Sequence, residues 1–197
     1  MFTIAGFEFR SRLKLLSTWV YFVVFFALAM LWIAAAGGLF ANASISFGSG
    51  KVAVNSPHAL AQTVVTLGLR GVTMMTAIMG RAVQQDFEYR TTSFFFTTPM
   101  AKRHYLGGRF IGAFGVLLVV FTSIGLGAFI ATLLPGMNAN RLSANRWIAC
   151  VGPYALLLLP NALFVGSVFF SLAALTRKMR PVYVGAYRDE YAFKAAP

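Results

Sequence analysis

Residues able to do chemistry are few in this chain and widely separated. The acidic residues are Glu8, Asp86, Glu88, Asp189 and Glu190. None lies within the long apolar stretches, so no carboxylate there is available to carry a proton or a cation. His58 and His104 stand on either side of an apolar stretch, which keeps them from sharing a metal ion. Cys150 is the single cysteine, so an intramolecular disulfide is excluded and redox chemistry is not expected.

The stretch Gly48-Ser49-Gly50-Lys51 resembles the end of a phosphate-binding loop. The full motif needs a glycine five positions before Gly50, where Ile45 stands, and a Ser or Thr after the lysine, where Val52 stands. We therefore expect a flexible loop. Nucleophile elbows, zinc spacings and dinucleotide fingerprints are also absent from the sequence. We predict no catalytic, cofactor-binding or metal-binding residue and no enzyme activity, and any energy coupling would need catalysis by another chain.

Arg70 is the one charge inside an apolar stretch, where charged residues are costly and are candidates for function. Polar residues recur around it at steps of three and four, which predicts a stripe along one side of a helix: Thr63, Thr66, Arg70, Thr73 and Thr76. The stripe is expected to face the bundle interior, a partner chain or a water-filled path. Arg70 then either lines a path for anionic groups, or is satisfied by helix carbonyls and threonine hydroxyls or by snorkelling to the interface.

The composition predicts that these residues are carried by membrane-spanning helices. The 197 residues are 58% hydrophobic and 11% charged, too little charge for the surface of a soluble domain. Four stretches reach the roughly 20 residues that a helix needs to cross a bilayer: about 18–40, 59–80, 110–134 and 148–175. The predicted fold is all-α, a polytopic bundle of four transmembrane helices. Pro153 and Pro160 are expected to kink the fourth helix or to shift its start.

Charge placement predicts the orientation. The net charge of +12 comes from Lys and Arg in short clusters beside the apolar stretches, a pattern that favours anionic lipid head groups over nucleic acid. Thirteen of these residues lie in the N-terminal, middle and C-terminal segments, and three lie in the other two loops. The positive-inside rule then predicts a multi-pass protein with both termini cytoplasmic. A cleaved signal peptide is the rival interpretation of the first stretch, whose 23 apolar residues are too many for one.

The segment before the first span predicts an amphipathic helix along the cytoplasmic leaflet. Its apolar residues on one face are Phe2, Phe9, Leu13 and Leu16, with Glu8, Arg10 and Lys14 off that face. A floppy basic flank is the alternative. Further along, Gly108 and Gly112 form a GxxxG pattern, which allows close helix approach but is weak evidence for a specific interface.

The segment between the second and third spans, 81–109, is much longer than a helix hairpin needs. It holds three consecutive phenylalanines, Phe94 to Phe96, which would be a liability if exposed to water. A helix over 82–96 is expected, with Pro99 setting a turn. Aromatic residues surrounded by charges favour docking onto another protein. The alternative is that the phenylalanines dip into the lipid head groups.

At this segment the sequence resembles the permease subunits of ABC-2 type ATP-binding cassette exporters, in the bacterial branch found fused to M1-type aminopeptidase regions. The matching phrases are FEFRSRLKLLSTWVYFVVFFALAMLWIAAAGG, NSPHALAQ and GRAVQQDFEYRTTSFFFTTPMAKRHYLGGRFIGA, and the resemblance covers about 1–185. It implies a permease in the bacterial inner membrane, a separate ABC subunit that binds and hydrolyses ATP, and a second permease half or a homodimer. Membrane lipids are the remaining expected partners, and nucleic acid is not one.

The resemblance also assigns roles to residues. It implies an elbow helix over Phe2 to Leu16 and a coupling helix that docks on the ATP-binding subunit. The coupling residues are Asp86, Phe87, Glu88, Tyr89, Arg90, Phe94, Phe95, Phe96, Thr97, Thr98 and Pro99. Arg70 has no counterpart in the family pattern.

One departure from the family concerns the number of spans. Such permease halves usually carry six, whereas four are predicted here. After Gly185, where a fifth span is expected, residues 186–197 form a polar tail too short to cross. We expect a truncated or frameshifted permease, or a short variant, without peptidase activity. The alternative function is an accessory or truncated membrane scaffold that transports nothing.

Overall fold

The computed structural model describes residues 1–40, 53–88, 102–135, 137 and 151–176, with the backbone alone at 86–88 and 102. This part of the chain is helical and contains no strand. Its elements are α1 (Phe2–Leu13), α2 (Leu16–Ala36), α3 (Pro57–Arg70), α4 (Val72–Glu88), α5 (Lys102–Ala131), a π-helical turn (Tyr154–Leu158) and α6 (Leu159–Thr176). The predicted all-α fold is therefore confirmed for the described residues.

Three helical stretches are long and apolar enough to cross a membrane: Leu16–Ala36, Arg103–Ala131 and Val151–Thr176. A fourth crossing is reached if Pro57–Arg70 and Val72–Gln85 together form one span, although this pair is bent by 52°. The three to four apolar helices agree with the predicted membrane-spanning protein.

The first membrane helix ends earlier than the apolar composition predicts. Gly38 has φ 80°, a left-handed conformation in which glycine avoids the Cβ penalty. The amide of Leu39 donates to the carbonyl of Ala34 at 3.1 Å, and that of Gly38 donates to Ala35 at 3.2 Å. This pair of bonds is a Schellman motif, which satisfies the last carbonyls of α2. The helix consequently stops at Ala36, before the predicted end near 40.

The second predicted span is broken at Gly71, between α3 and α4. At its start, the Oγ of Ser56 accepts a hydrogen bond from the amide of Ala59 at 3.2 Å, and Pro57 occupies the first helical position. Both are standard helix-start features. Helix resumes after the break, where Met75 N–H donates to the Gly71 carbonyl at 2.8 Å. A single straight helix over 59–80 was expected. Gly71 weakens the helix at this position, because glycine has a low helix propensity.

The two prolines of the last span lie on either side of the π-helical turn. Leu159 N–H donates to the carbonyl of Tyr154, an i to i+5 bond. Pro160 has no N–H, and its ring crowds the carbonyl four residues before it, so a widened turn directly ahead relieves the conflict. The helix thus continues from Val151 to Thr176 through this turn.

The chain divides into two compact units, each with its own packing. One comprises the described residues within Met1–Thr18, Gly71–Leu117 and Ala162–Pro197, and the other those within Trp19–Arg70 and Leu118–Asn161. In the first, Phe110 lies edge-on to Phe170 with ring centroids 5.3 Å apart.

In the second unit, one cluster of buried apolar residues joins α2, α3 and α5. It consists of Ile33, Ala36, Val54, Ala59, Leu60, Ala128 and Ala131. Phe25 packs edge-on against Phe121 nearby, at 6.1 Å between ring centroids. Gly127 marks a close approach of α2 and α5, because an added Cβ would collide with the Phe26 carbonyl oxygen.

We predict that Gly127→Ala lowers the free energy of unfolding by about 1–3 kcal/mol, because the added methyl group forces α2 away from α5. Thermal unfolding in detergent, followed by circular dichroism, measures the effect. Gly68→Ala is the matched control, since an added Cβ there meets nothing within 4 Å and alanine favours helix. Equal melting temperatures for the two variants would contradict the predicted packing.

Candidate functional site: a buried charge cluster at the N-terminal helix

Three charged side chains lie together in the interior of the first unit. Glu8 and Arg12 are one turn apart on α1, and Arg12 Nε lies 2.6 Å from Glu8 Oε1. Arg109 of α5 approaches the same oxygen, with its Nη1 at 3.8 Å. Their side chains are between 6% and 11% exposed, so water contributes little to their solvation. We call Glu8, Arg12 and Arg109 the charge cluster.

Both arginines of the charge cluster also bind the backbone of α4. Arg12 Nη1 donates to the Ile78 carbonyl at 3.2 Å. Arg109 Nη1 donates to the Ala82 carbonyl, one helical turn further along. The charge cluster therefore connects three helices: α1 and α5 by ion pairs, and each of these to α4 by a hydrogen bond from a guanidinium.

The charge balance of the site makes Glu8 indispensable. One carboxylate faces two buried guanidiniums, and the Nη2 of Arg12 is buried with no hydrogen-bond partner within the described part of the chain. Burial lowers the pKa of Arg12, Glu8 opposes this, and the nearby charges of Arg109 and Arg81 lower it further. Arginine still keeps its proton at physiological pH because its reference pKa is so high. Loss of the carboxylate would thus leave uncompensated positive charge in a poorly solvated site.

Two glycines of α5 allow α1 to come close enough to form the cluster. A Cβ added at Gly112 would lie 2.8 Å from both the Ala5 carbonyl oxygen and Glu8 Cβ. One added at Gly108 would lie 2.9 Å from the Met1 carbonyl oxygen and 3.0 Å from Ile4 Cβ. Side chains at these positions would separate the helices, so the predicted GxxxG pattern serves the contact between α1 and α5.

The junction after α1 is held by a further buried hydrogen bond. Thr18 Oγ1 donates to the Arg12 carbonyl at 2.8 Å. The amide of Leu15 donates to the same carbonyl at 3.1 Å. The charged residue that anchors α1 thereby also fixes where the chain turns into α2.

The face by which α1 packs differs from the apolar stripe that the sequence indicates. Ala5, Glu8 and Arg12 are buried, whereas Phe2 is 83% exposed and Leu16 is 79% exposed. The apolar stripe predicted that Glu8 lies off the packing face, and no role was predicted for Arg12. The available signal was the opposite charge pair at i and i+4 beside Ala5, a pattern that usually marks an exposed helix surface. A helix is present over Phe2–Leu13, whereas the elbow helix was predicted over Phe2 to Leu16; its position along a leaflet stays a prediction.

The predicted polar stripe is not continuous. Thr63 and Thr76 are fully buried, and each hydroxyl donates at 2.8 Å to a carbonyl four residues earlier in its own helix. Thr66 is half-buried, while Arg70 and Thr73 are exposed on either side of the break at Gly71. Because the helix is broken there, the five residues do not follow one straight helix. The role of Arg70 in a pathway stays a prediction.

The predicted coupling residues fall mostly outside the described residues: this applies to Tyr89, Arg90, Phe94, Phe95, Phe96, Thr97, Thr98 and Pro99. The backbone of Asp86, Phe87 and Glu88 forms the last turn of α4. Among the residues that the structure describes, no group of three or more His, Cys, Asp or Glu side chains is placed to hold a metal ion.

We predict that Glu8→Leu destabilises the protein by about 3–5 kcal/mol, because it leaves buried guanidiniums without a counter-charge. The double variant Glu8→Leu with Arg12→Met should recover part of this loss, because position 12 no longer buries an unpaired charge, while Arg109 still lacks its counter-charge. Thermal or denaturant unfolding in detergent measures all three proteins. Additive losses in the double variant would contradict a coupled buried pair.

Comparison with known proteins does not assign the chain to a family. No protein-family model, no curated protein and no solved structure matches the chain.

Proposed function

We propose that the chain is the membrane-spanning permease subunit of an ABC-2 type exporter in a bacterial inner membrane. A separate ATP-binding cassette subunit would bind and hydrolyse ATP, because this chain offers no catalytic constellation in its sequence. A second permease half, or a second copy of the chain, would complete the transporter. Both termini and the segment between α4 and α5 would face the cytoplasm, in accord with the placement of Lys and Arg.

The observation that carries the proposal is how the charge cluster holds α4 and α5. These two helices lead into and out of the segment 89–101, where the resemblance puts the docking residues. Arg12 and Arg109 bind carbonyls of α4 at Ile78 and Ala82, within the last three turns before that segment. Arg109 itself lies in the second turn of α5. The N-terminal helix is thus attached to both sides of the proposed docking segment.

This arrangement suits the transmission of force. In the proposed mechanism, closure of the ATP-binding subunits pushes on the docking segment and displaces the adjoining ends of α4 and α5. Because α1 is joined to α5 by an ion pair and to α4 by a hydrogen bond, the three helices would move as one body. Movement of packed helices as a body would carry a displacement from the docking segment into the membrane-spanning part. Transport would follow by alternating access or by lateral extrusion between two permease halves.

We expect a photo-crosslinking amino acid at Phe95 to capture an ATPase of the ATP-binding cassette type in membranes of the native host. The crosslinked protein is identified by mass spectrometry from its Walker A and signature peptides. The same amino acid at His58, on the opposite side of the predicted membrane, is the control and should capture no ATPase. Crosslinks to lipid alone at Phe95 would contradict docking and would favour insertion of the phenylalanines among head groups.

We also expect the triple variant with Phe94, Phe95 and Phe96 changed to Ala to lose most of the copurifying ATPase, about tenfold or more, because buried aromatic anchors dominate such interfaces. Phe164→Ala, which alters an exposed phenylalanine of α6, is the control and should keep it. Undiminished ATPase with the triple variant would refute the coupling assignment. Absence of any ATPase from the unaltered protein would favour an accessory scaffold.

A further inference from the structure

The outward side of α1 carries an open cavity of about 520 Å³. The residues that line it are Thr3, Gly6, Phe7, Arg10, Ser11 and Lys14. They recur at steps of three and four, so they follow one side of the helix opposite to the buried Ala5, Glu8 and Arg12. We call this feature the α1 groove. All six lining residues lie on α1 or directly after it, so the cavity is an open groove along one helix and not an enclosed pocket.

The α1 groove is positively charged because of how the charge cluster is arranged. Glu8 is the sole acid of α1, and it is turned inward and paired with Arg12. Arg10 and Lys14 are exposed, and neither has an ion-pair partner among the described residues. The carboxylate of α1 is therefore paired on the opposite side of the helix, and two cations one turn apart remain in the groove to bind an anion.

The groove also carries apolar surface next to its charges. Phe7 is 74% exposed and lies between the hydroxyls of Thr3 and Ser11 in the helical order. Phe2, also exposed, is at the start of the same helix. A free anion uses only the cations and hydroxyls of such a site. A phospholipid uses both parts, since its phosphate can bind the cations while its glycerol and upper acyl chain contact the phenylalanine.

We propose that the α1 groove binds the head group of an anionic phospholipid from the leaflet beside α1. Arg10 and Lys14 pair with the phosphate, Thr3 and Ser11 donate hydrogen bonds to its oxygens, and Phe7 packs on the adjoining apolar part of the lipid. The net charge of the groove distinguishes anionic from zwitterionic lipid, whose choline or ethanolamine would be repelled. The proposal requires a membrane protein but does not depend on the exporter function.

Native mass spectrometry of the intact protein tests this proposal. The protein is purified in detergent with equal amounts of phosphatidylglycerol and phosphatidylcholine, and the retained lipids are counted. We expect phosphatidylglycerol to be retained preferentially, and Arg10→Gln with Lys14→Gln to reduce this preference roughly tenfold. The control is Lys102→Gln with Arg103→Gln, which removes the same charge at the start of α5 and should leave the preference unchanged. Circular dichroism verifies that each variant is folded.

Three outcomes would overturn the proposal. The first is an equal loss of phosphatidylglycerol in both double variants, which would indicate general attraction to a basic protein. The second is an unchanged preference when Arg10 and Lys14 are neutralised. The third is displacement of the lipid by inorganic phosphate at millimolar concentration, which would indicate a simple anion site in which Phe7 plays no part. Phe7→Ala should therefore weaken lipid retention while both cations remain.

Discussion

A carboxylate buried between two guanidiniums is the interaction on which the described arrangement of α1, α4 and α5 depends. Each charge has left water, so its solvation must come from the others and from helix carbonyls. Glu8 supplies the counter-charge, and Arg12 and Arg109 extend the network to Ile78 and Ala82 on α4. The three helices cannot separate without exposing or stranding a charge in an apolar environment. Gly108 and Gly112 of α5 make this contact possible, because a Cβ at either position would keep α1 at a distance.

Because of this network, the two sides of α1 have different roles. The inward side uses its acid to attach the helix to the protein. The outward side is left with cations and an exposed phenylalanine, which are suited to a lipid head group. If Glu8 lay on the outward side of α1, the helix would lose its ion pair to α5. The α1 groove would also lose its positive charge. In the proposed exporter, α1 would link the lipid surface to the two helices that adjoin the docking segment.

Hydropathy and charge allowed much of this fold to be predicted, since apolar length and the absence of strands are local properties of the sequence. The end of α2 was missed by a few residues because Gly38 in a left-handed conformation overrides the apolar run that continues beyond it. The break at Gly71 was also missed, as glycine is common in membrane helices and rarely marks a bend by itself. The burial of Glu8 and Arg12 depends on Arg109, about a hundred residues away. No helical periodicity within α1 contains that information, so the burial of Glu8 and Arg12 was not predicted.

A distance measurement between two spin labels in lipid, by double electron–electron resonance, tests the central claim that α1 is fixed against α5. Ser11→Cys on α1 and His104→Cys on α5 are combined with Cys150→Ser, and both labelled side chains are exposed, so the glycines at the helix contact stay intact. We expect a single narrow distance distribution between the two labels. We also expect Glu8→Leu to broaden or lengthen it, whereas Phe164→Ala, at an exposed position of α6, leaves it unchanged. A broad distribution without Glu8→Leu, or no effect of Glu8→Leu, would contradict an α1 held by the charge cluster.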